Sequence, residues 1–303
     1  MNVVATALAT LFILLLATYG LQVLERLVRR AEWAAFAAPL AHARARLRKE
    51  SLTPRGADRW LFGSAPVIAF VCVALAGLVI PLSAILTAFD PSIGLFYFIV
   101  VLGPVVVALM NAGWGTNAKT GLFGTFRAAA HLVSYEVPLG FAAIGPAMAA
   151  ESLSMTRIVD GQAGSWYVVW QPLGFVIYLV ATLMMTYRRP FDLPLAEREL
   201  GGGVLAEYSG ARLFLFELAL DALFLLLVAA GVVLFLGGWR GPLLTSALWM
   251  TIKTFGLAAL LLWLGRRVPR LRHDQMLALS WKVLLPASLL NVAVVGIVAL
   301  IIG

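Results

Sequence analysis

Long apolar runs separated by short polar connections make up most of this 303-residue sequence. A helix needs about 20 apolar residues to cross the hydrocarbon core of a bilayer. Hydrophobic residues account for 62% of the chain and charged residues for 13%, whereas soluble domains carry about 25% charged residues. Eight such runs occupy residues 3–24, 66–88, 94–114, 132–150, 167–186, 213–236, 244–265 and 281–302. The sequence therefore predicts an all-α polytopic integral membrane protein with eight transmembrane helices and a single membrane domain over residues 1–303.

Lysine and arginine cluster in every second connection between these runs. The basic connections span about 25–65, 115–131, 187–212 and 266–280, and the others contain only Arg157 and Arg240. Positively charged loops stay on the cytoplasmic side during insertion, so we expect these four to be cytoplasmic and both termini to be periplasmic. The first run is expected to remain as a span rather than a cleaved signal peptide, because no basic residue precedes it. The net charge of +8 is explained by these loops, and nucleic acid is not expected as a partner.

The cysteine and histidine content gives no metal motif. Cys72 is the single cysteine and lies in an apolar run, which excludes an internal disulfide. His42, His131 and His273 are too scattered to have ligand spacing. We therefore expect this chain to bind no metal.

The first basic connection contains an amphipathic stretch over residues 26–49. Its arginines, including Arg29, alternate with the apolar Trp33 and Phe36, and Pro39 interrupts it. In such a helix the arginines reach the lipid headgroups while the apolar side chains enter the interface. We expect an interfacial helix broken near Pro39, which serves as a membrane anchor or as part of a docking face.

Four titratable residues fall inside the apolar runs: Glu136, Glu217, Asp221 and Lys253. Ionisable groups at membrane depth cost at least a few kcal/mol each and normally face a cavity or one another. Glu217 and Asp221 are four residues apart and so share one helix face. Burial and mutual repulsion raise the pKa of such a pair, and Lys253 would lower it again if it lay nearby. The set predicts a proton relay, and the alternative is a structural ion pair.

The connection over 187–212 is the most unusual segment of the chain. Its prolines and glycines forbid a continuous helix, and it carries four carboxylates, which topology does not explain because acidic residues contribute little to orientation. These carboxylates are Asp192, Glu197, Glu199 and Glu207. On composition alone they could form a solvated loop, but their order within the motif favours a specific role.

That motif reads Arg188-Arg189-Pro190-Phe191-Asp192-Leu193-Pro194, then Ala196-Glu197 and Glu199-Leu200, and later Glu207-Tyr208-Ser209-Gly210. Other motifs occur around it, at Lys49–Pro66, Ala112–Lys119, Arg127–Ala130, Ser134–Gly140, Gln171–Phe175, Leu236–Trp239, Pro269–Gln275 and Trp281–Pro286. Together they resemble, in the same order and over nearly the whole chain, the quinone-chamber junction subunit, known as the H subunit, of proton-pumping NADH:quinone oxidoreductase, respiratory complex I.

The resemblance implies a subunit at the junction of the membrane arm and the peripheral redox arm, in the cytoplasmic (inner) membrane of a bacterium. Such a protein contributes to the wall of a quinone chamber and couples electron transfer to proton translocation, with quinone as a substrate and no flavin, haem or iron–sulfur cluster of its own. Asp192, Glu197, Glu199 and Glu207 would form its acidic loop on the quinone side, and Glu136 a buried relay carboxylate. Candidates for lining the chamber are Arg29, Trp33, Phe36, Arg189 and Phe191.

The chain departs from that family at several positions. The first cytoplasmic loop has no Gly-Pro, and Pro194-Leu195-Ala196-Glu197 has one acid fewer than the family has there. A glutamate of the fifth span falls on Met184 or Met185, and one of the sixth span falls on Leu220, next to Asp221. A shift of one residue turns a side chain by about 100° around a helix.

Two other functions remain open on the sequence alone. One is the homologous membrane subunit of an energy-converting hydrogenase or ferredoxin-linked complex, with the same fold and no quinone. The other is a stand-alone secondary transporter, which predicts inverted internal repeats, and none is visible. The proteins that co-purify with the chain distinguish the three.

Overall fold

The computed structural model describes residues 3–30, 36–84, 86–195, 201–242 and 244–302, without the side chains of residues 3, 4, 29, 30 and 302. These residues form helices and turns, and no strand occurs among them. The helices are α1 (Val3–Arg30), α2 (Ala38–Arg48), α3 (Arg59–Gly77), α4 (Gly94–Gly115), α5 (Lys119–Ala149), α6 (Met155–Asp160), α7 (Tyr167–Trp170), α8 (Pro172–Met185), α9 (Gly210–Phe235), α10 (Ser246–Arg267), α11 (His273–Leu279) and α12 (Leu285–Ile302). A 3-10 turn covers Gly203–Leu205, and a π turn covers Ser280–Leu284 between α11 and α12.

Seven helical segments of the described chain are long and apolar enough to cross a membrane, and the fold is that of a polytopic membrane protein. The fifth predicted span, over 167–186, is not confirmed. It divides at Gln171 into α7 and the 14-residue α8. Pro172 starts α8, where its missing N–H costs nothing. At 1.5 Å per residue α8 is about 21 Å long, which is less than the hydrocarbon core of about 30 Å.

The connections rich in lysine and arginine meet at one end of the bundle, which we call the basic end. There the Asp58 N–H donates to the Gly115 carbonyl over 2.8 Å, and the Leu271 N–H donates to the Pro190 carbonyl over 3.2 Å. At the opposite end, the Leu95 N–H donates to the Leu153 carbonyl, and Arg240 pairs with Asp160. The end of α12 lies with this second group, since Gly296 is beside Met148 of α5.

Two prolines inside helices free a backbone carbonyl that another segment then satisfies. Pro66 cannot donate to the carbonyl of Phe62, one turn earlier, and the Tyr208 hydroxyl donates to that oxygen over 2.8 Å. Pro138 likewise frees the carbonyl of Ser134, which accepts from the Ser280 hydroxyl. Such replacement partners are what allow proline within a membrane helix.

The predicted connection over 115–131 is helical over most of its length, because α5 begins at Lys119 and continues without interruption to Ala149. The replacement partner of the Ser134 carbonyl lets the helix pass Pro138. The amphipathic stretch was predicted to be a helix broken near Pro39. The break lies just before Pro39 and so near the predicted position, because residues 36 and 37 form a turn and Pro39 stands in the first turn of α2; residues 31–35 lie outside the described part.

Helix α9 forms the centre of the bundle. Every side chain from Ala222 to Phe235 is buried, and α9 packs against α1, α2, α3, α8 and α10. Its two acids, Glu217 and Asp221, belong to its first half, nearer the basic end.

Candidate functional site

A buried arginine links three segments of the chain near the basic end. Arg188 follows α8, and its guanidinium donates to Glu25 of α1 over 3.0 Å and to Asp221 of α9. The Gln22 amide donates to the other Asp221 oxygen over 2.8 Å. The Arg188 guanidinium also lies 5.1 Å from the centre of the Phe224 ring. The three charged side chains are only 17–18% exposed, so this is an ion cluster largely removed from water.

The charge state of Arg188 follows from its neighbours. Burial acts to lower the pKa of its guanidinium, but Glu25 and Asp221 outweigh that effect, and the pKa lies above its ordinary value. Arg188 is therefore a permanent cation that two carboxylates share. Sharing one cation between two acids makes the protonation of each depend on the other.

This cluster opens into a cavity of about 800 Å³ at the basic end. The cavity is lined by Glu25, Val28, Tyr187, Arg188, Arg189, Asp192, Leu195, Leu261, Leu262, Gly265, Arg266, Val268, Pro269 and Arg270. Asp192 lies 2.9 Å from the Arg270 Nε and 3.9 Å from the Arg189 Nε. The cavity thus combines an apolar wall with several guanidinium groups, an arrangement suited to a ring that carries carbonyl oxygens.

Glu217 has different partners from Asp221, although the two share a face of α9. Its carboxylate pairs with Arg46 at 2.8 Å and with His42 at 3.0 Å, both on α2. Glu217 therefore ties the interfacial helix to the centre of the bundle.

Lys253 does not lie near these acids, so the condition under which it would lower their pKa values is not met. Its ammonium donates to the carbonyls of Leu236, Gly238 and Arg240, at 2.6, 3.0 and 2.7 Å. These oxygens follow the end of α9 that is remote from Asp221, about 20 Å along the helix. The rings of Trp166 and Trp249 lie 4.5 and 5.5 Å from the ammonium. Lys253 of α10 therefore holds together the turn that follows α9.

The resemblance implies that Glu136 is a buried carboxylate, and the chain by itself does not bury it. Within the chain its side chain is exposed, whereas the preceding Ser134 and Tyr135 are buried. The reason is helical periodicity, which turns Glu136 to the outside of α5 when Tyr135 faces inward. One edge of Glu136 still reaches a small cavity that it shares with Tyr135 and Tyr178.

The remaining predicted residues do not form one group. Glu207 is exposed beside Tyr208, whereas Asp192 lines the 800 Å³ cavity. Arg189 also lines it and is 70% exposed, but Phe191 is buried in the core. Phe36 is exposed near the start of α2, and its carbonyl accepts from Tyr19. Glu197, Glu199, Trp33 and the Arg29 side chain lie outside the described part.

Sequence reasoning missed Gln22, Glu25 and Arg188 as members of the site. Arg188 and Glu25 stand among the charges at the ends of apolar runs, where topology explains them without any further role. The available signal was Arg188 itself, as the first residue of the motif that continues to Asp192. Met184 and Met185, one of which the resemblance aligns with a family glutamate, are both buried. In the described part of the chain, no three His, Cys, Asp or Glu side chains are grouped as a metal site.

Comparison with known proteins identifies the fold family. A family model described as NADH dehydrogenase matches residues 4–296. The H 1 subunit of the NADH-quinone oxidoreductase of Geobacter metallireducens is 40% identical over 85% of this chain and 81% of its own length. The H subunit of Syntrophotalea carbinolica is 40% identical over 88% of this chain and 83% of its own. The H subunit of Bacillus thuringiensis is 40% identical over 83% of this chain and 77% of its own. The chain therefore belongs to the NADH dehydrogenase family.

Proposed function

We propose that the chain is the H subunit of a respiratory complex I, a proton-translocating NADH:quinone oxidoreductase in a bacterial cytoplasmic membrane. In this proposal it crosses the membrane eight times, with the basic end in the cytoplasm and both termini in the periplasm. It helps to form the quinone site and carries protonation changes into the membrane. The subunits that oxidise NADH and hold the redox centres are its partners, and the isolated chain performs no catalysis.

The observation that carries the proposal is the Arg188 cluster beneath the 800 Å³ cavity. Arg188 belongs to the connection that faces the cavity, yet its two acid partners come from α1 and α9. A change of charge in the cavity therefore has a direct electrostatic route to Asp221 inside the bundle. At low dielectric such an interaction is far stronger than at a solvated surface.

The cavity also supports quinone as the substrate. Quinone carbonyls accept hydrogen bonds, and Arg189, Arg266 and Arg270 line the cavity as donors beside Leu261 and Leu262. Reduction to quinol adds two protons and two electrons to the ring. Asp192, between Arg189 and Arg270, is the acid of this connection best situated to respond to that change.

The exposure of Glu136 supports a second membrane subunit as a partner. A carboxylate that faces lipid at mid-membrane is costly, and Glu136 stands near the middle of the 31-residue α5. Another protein of the membrane arm would cover it and could continue the relay. The basic end, with exposed Glu207 and Arg189, would then meet the peripheral arm.

The test compares the two acids of α9 in assembled complex in proteoliposomes, with NADH oxidation and proton uptake measured on one sample. Asp221→Asn is expected to lower the protons translocated per NADH more than Glu217→Gln, because Asp221 contacts Arg188 whereas Glu217 contacts α2. The reverse ranking would assign the relay to Glu217. If neither variant altered translocation or turnover, the α9 acids would be structural and the proposal for this cluster would fail.

The hydrogenase alternative finds no support in the relatives, which are named as NADH-quinone oxidoreductase subunits. Co-purification discriminates further. Peripheral subunits that bind NADH and hold iron–sulfur clusters support complex I, a nickel-bearing large subunit supports a hydrogenase, and a lone chain supports a transporter.

A further inference from the structure

A large apolar cavity lies towards the end of the bundle opposite the basic end. It has a volume of about 380 Å³, which falls within the range of about 300–1,000 Å³ for pockets that hold small molecules. Its wall comes from α1, α9, α10, the end of α3 and the segment that follows α3. None of the described residues that line it is charged, and all but four of them are apolar. The proposed function gives this apolar cavity no role.

The apolar cavity occupies a gap between α1 and α10. The two helices touch at Gly20, where an added side chain would lie 3.0 Å from the Phe255 ring. From that contact the cavity extends to Thr10 on α1 and to Ala247 on α10. At 1.5 Å per residue these stretches are about 15 and 12 Å long. Helices α1 and α10 are therefore in contact at Gly20 and leave a gap on the side away from the basic end.

This gap opens sideways, onto the outer surface of the bundle. Leu16 of α1 and Ala247 and Thr251 of α10 line the apolar cavity and are exposed. Its inner wall belongs to α9, where Leu226 and Ala229 are buried. A molecule that enters from the lipid between α1 and α10 therefore reaches the centre of the bundle.

Tryptophan side chains mark the depth of the apolar cavity in the membrane. Trp166, Trp170 and Trp249 all stand at this end of the bundle, and tryptophan is enriched where a membrane meets water. Ala247 shares the first turn of α10 with Trp249, so the cavity runs from the interface towards the middle of the bilayer. One leaflet contributes half of a hydrocarbon core of about 30 Å, which matches the length of the cavity along α1.

The polar groups of the apolar cavity do not suit water. Three of its four hydroxyl groups, those of Thr10, Ser83 and Thr251, already take part in hydrogen bonds within the chain. The fourth, that of Thr254, has no partner in the described part of the chain. A buried water needs about two to four polar partners, whereas an empty cavity forfeits the dispersion contacts of its wall. A flexible hydrocarbon chain is the occupant that fits this lining.

We propose that the apolar cavity binds one acyl chain of a membrane phospholipid from the leaflet opposite the basic end. The acyl chain passes between α1 and α10 and packs against Leu226 and Ala229 of α9, while the headgroup stays at the level of Trp249. It supplies the packing that α1 and α10 do not give each other beyond Gly20. This site goes beyond the proposed function, because it requires only that α1 and α10 cross the bilayer.

The experiment uses the assembled complex in nanodiscs that contain a phospholipid with a photoreactive diazirine in one acyl chain. After irradiation, mass spectrometry of the digested protein identifies the residues that carry lipid adducts. We expect adducts on Leu226 and Ala229, which are buried and therefore out of reach of lipid that only surrounds the protein. Leu8 and Phe12 are exposed on α1, so they report the surrounding lipid.

Two substitutions close the apolar cavity at different places. Ala229→Phe fills its inner end, and Ala247→Phe obstructs its mouth at an exposed position. Both variants should lose the adducts on Leu226 and keep those on Leu8. The matched control is Gly256→Leu, which adds bulk to α10 at a position outside the cavity where no atom lies within 4 Å. This control should keep the adducts on Leu226.

A wild-type complex without adducts on α9 would overturn the proposal. If the adducts then appeared on the chain separated from its complex, a helix of another subunit would be the occupant instead of a lipid. Adducts on Leu226 that persisted in both cavity-closing variants would also contradict the proposal, because lipid would then reach α9 by another route. If Ala229→Phe did not assemble, Ala247→Phe would decide the question alone, since it leaves the buried wall intact.

Discussion

At the scale of single residues, the hydrogen bonds of Lys253 lead to a prediction about stability. Its ammonium is held by three carbonyls that follow α9, and methionine keeps the shape of the stem but cannot donate. We expect Lys253→Met to lower the free energy of unfolding by about 2 kcal/mol, because hydrogen bonds to charged groups contribute about 1.5–3 kcal/mol each and this site is only partly buried. The measurement is thermal unfolding of the purified protein in detergent.

The matched control is Lys282→Met, at an exposed lysine of the π turn, which should leave the unfolding temperature unchanged. Protons translocated per NADH should be normal in the Lys253→Met complex that assembles. If Lys253→Met lost proton translocation without losing stability, Lys253 would belong to the proton relay.

The sequence identified residues of the site but not their pairing. Asp221 stood out as an acid in an apolar run, and it does belong to the buried cluster. Lys253 stood out by the same criterion, but it binds carbonyl oxygens at the other end of α9. Helical spacing shows which side chains share a face of one helix, but the partner on another helix depends on packing that no spacing reveals. Arg188 and Glu25 meet across 163 positions of the chain.

At the scale of elements, Tyr208 supplies the hydrogen-bond donor that α3 lacks at Pro66. Its hydroxyl donates to the Phe62 carbonyl, and its ring stacks on the Phe62 ring at 4.0 Å. We expect Tyr208→Phe to lower the free energy of unfolding by about 1 kcal/mol or more, since it leaves a buried carbonyl without a donor. In a Pro66→Ala background alanine supplies the N–H, and the same substitution should cost much less. The four proteins form a double-mutant cycle, and equal losses in both backgrounds would exclude this coupling.

The apolar runs predicted the existence of the elements better than their ends. Seven described helical segments have the length of a span, and each overlaps a predicted run. Helix α3 ends at Gly77, well before the predicted end of its run at 88, and the disagreements in α5 and α8 both involve proline. Pro138 does not end α5, because a side chain from elsewhere satisfies the freed carbonyl. Pro172 does start α8 and shortens it. The sequence shows the proline, but whether a replacement donor exists depends on the tertiary structure.

At the scale of the whole molecule, charge and fold agree on which connections belong together. The connections rich in lysine and arginine contact each other at the basic end, for example through Ser209, whose hydroxyl donates to the Glu50 carbonyl over 3.0 Å. The connections that contain Arg157 and Arg240 meet at the other end. Periodicity and charge bias were enough to predict this division, because neither depends on how the helices pack.

The side of the membrane on which the basic end lies gives the last prediction. Thr53 and Ser92 are both exposed, Thr53 at the basic end and Ser92 at the opposite end. With Cys72 replaced by serine, a single cysteine at either position can be labelled by a membrane-impermeant maleimide on intact cells and on inside-out vesicles. We expect Ser92→Cys to react on intact cells and Thr53→Cys only on inside-out vesicles, because positively charged connections are retained in the cytoplasm. The unmodified chain, with Cys72 within α3, is the control and should react weakly in both preparations.

If both engineered cysteines reacted from the same side, Thr53 and Ser92 could not be separated by a single span, and the eight-span topology would be wrong. If each reacted from the side opposite to that expected, the bundle would be inverted, and the proposed quinone site would face the periplasm.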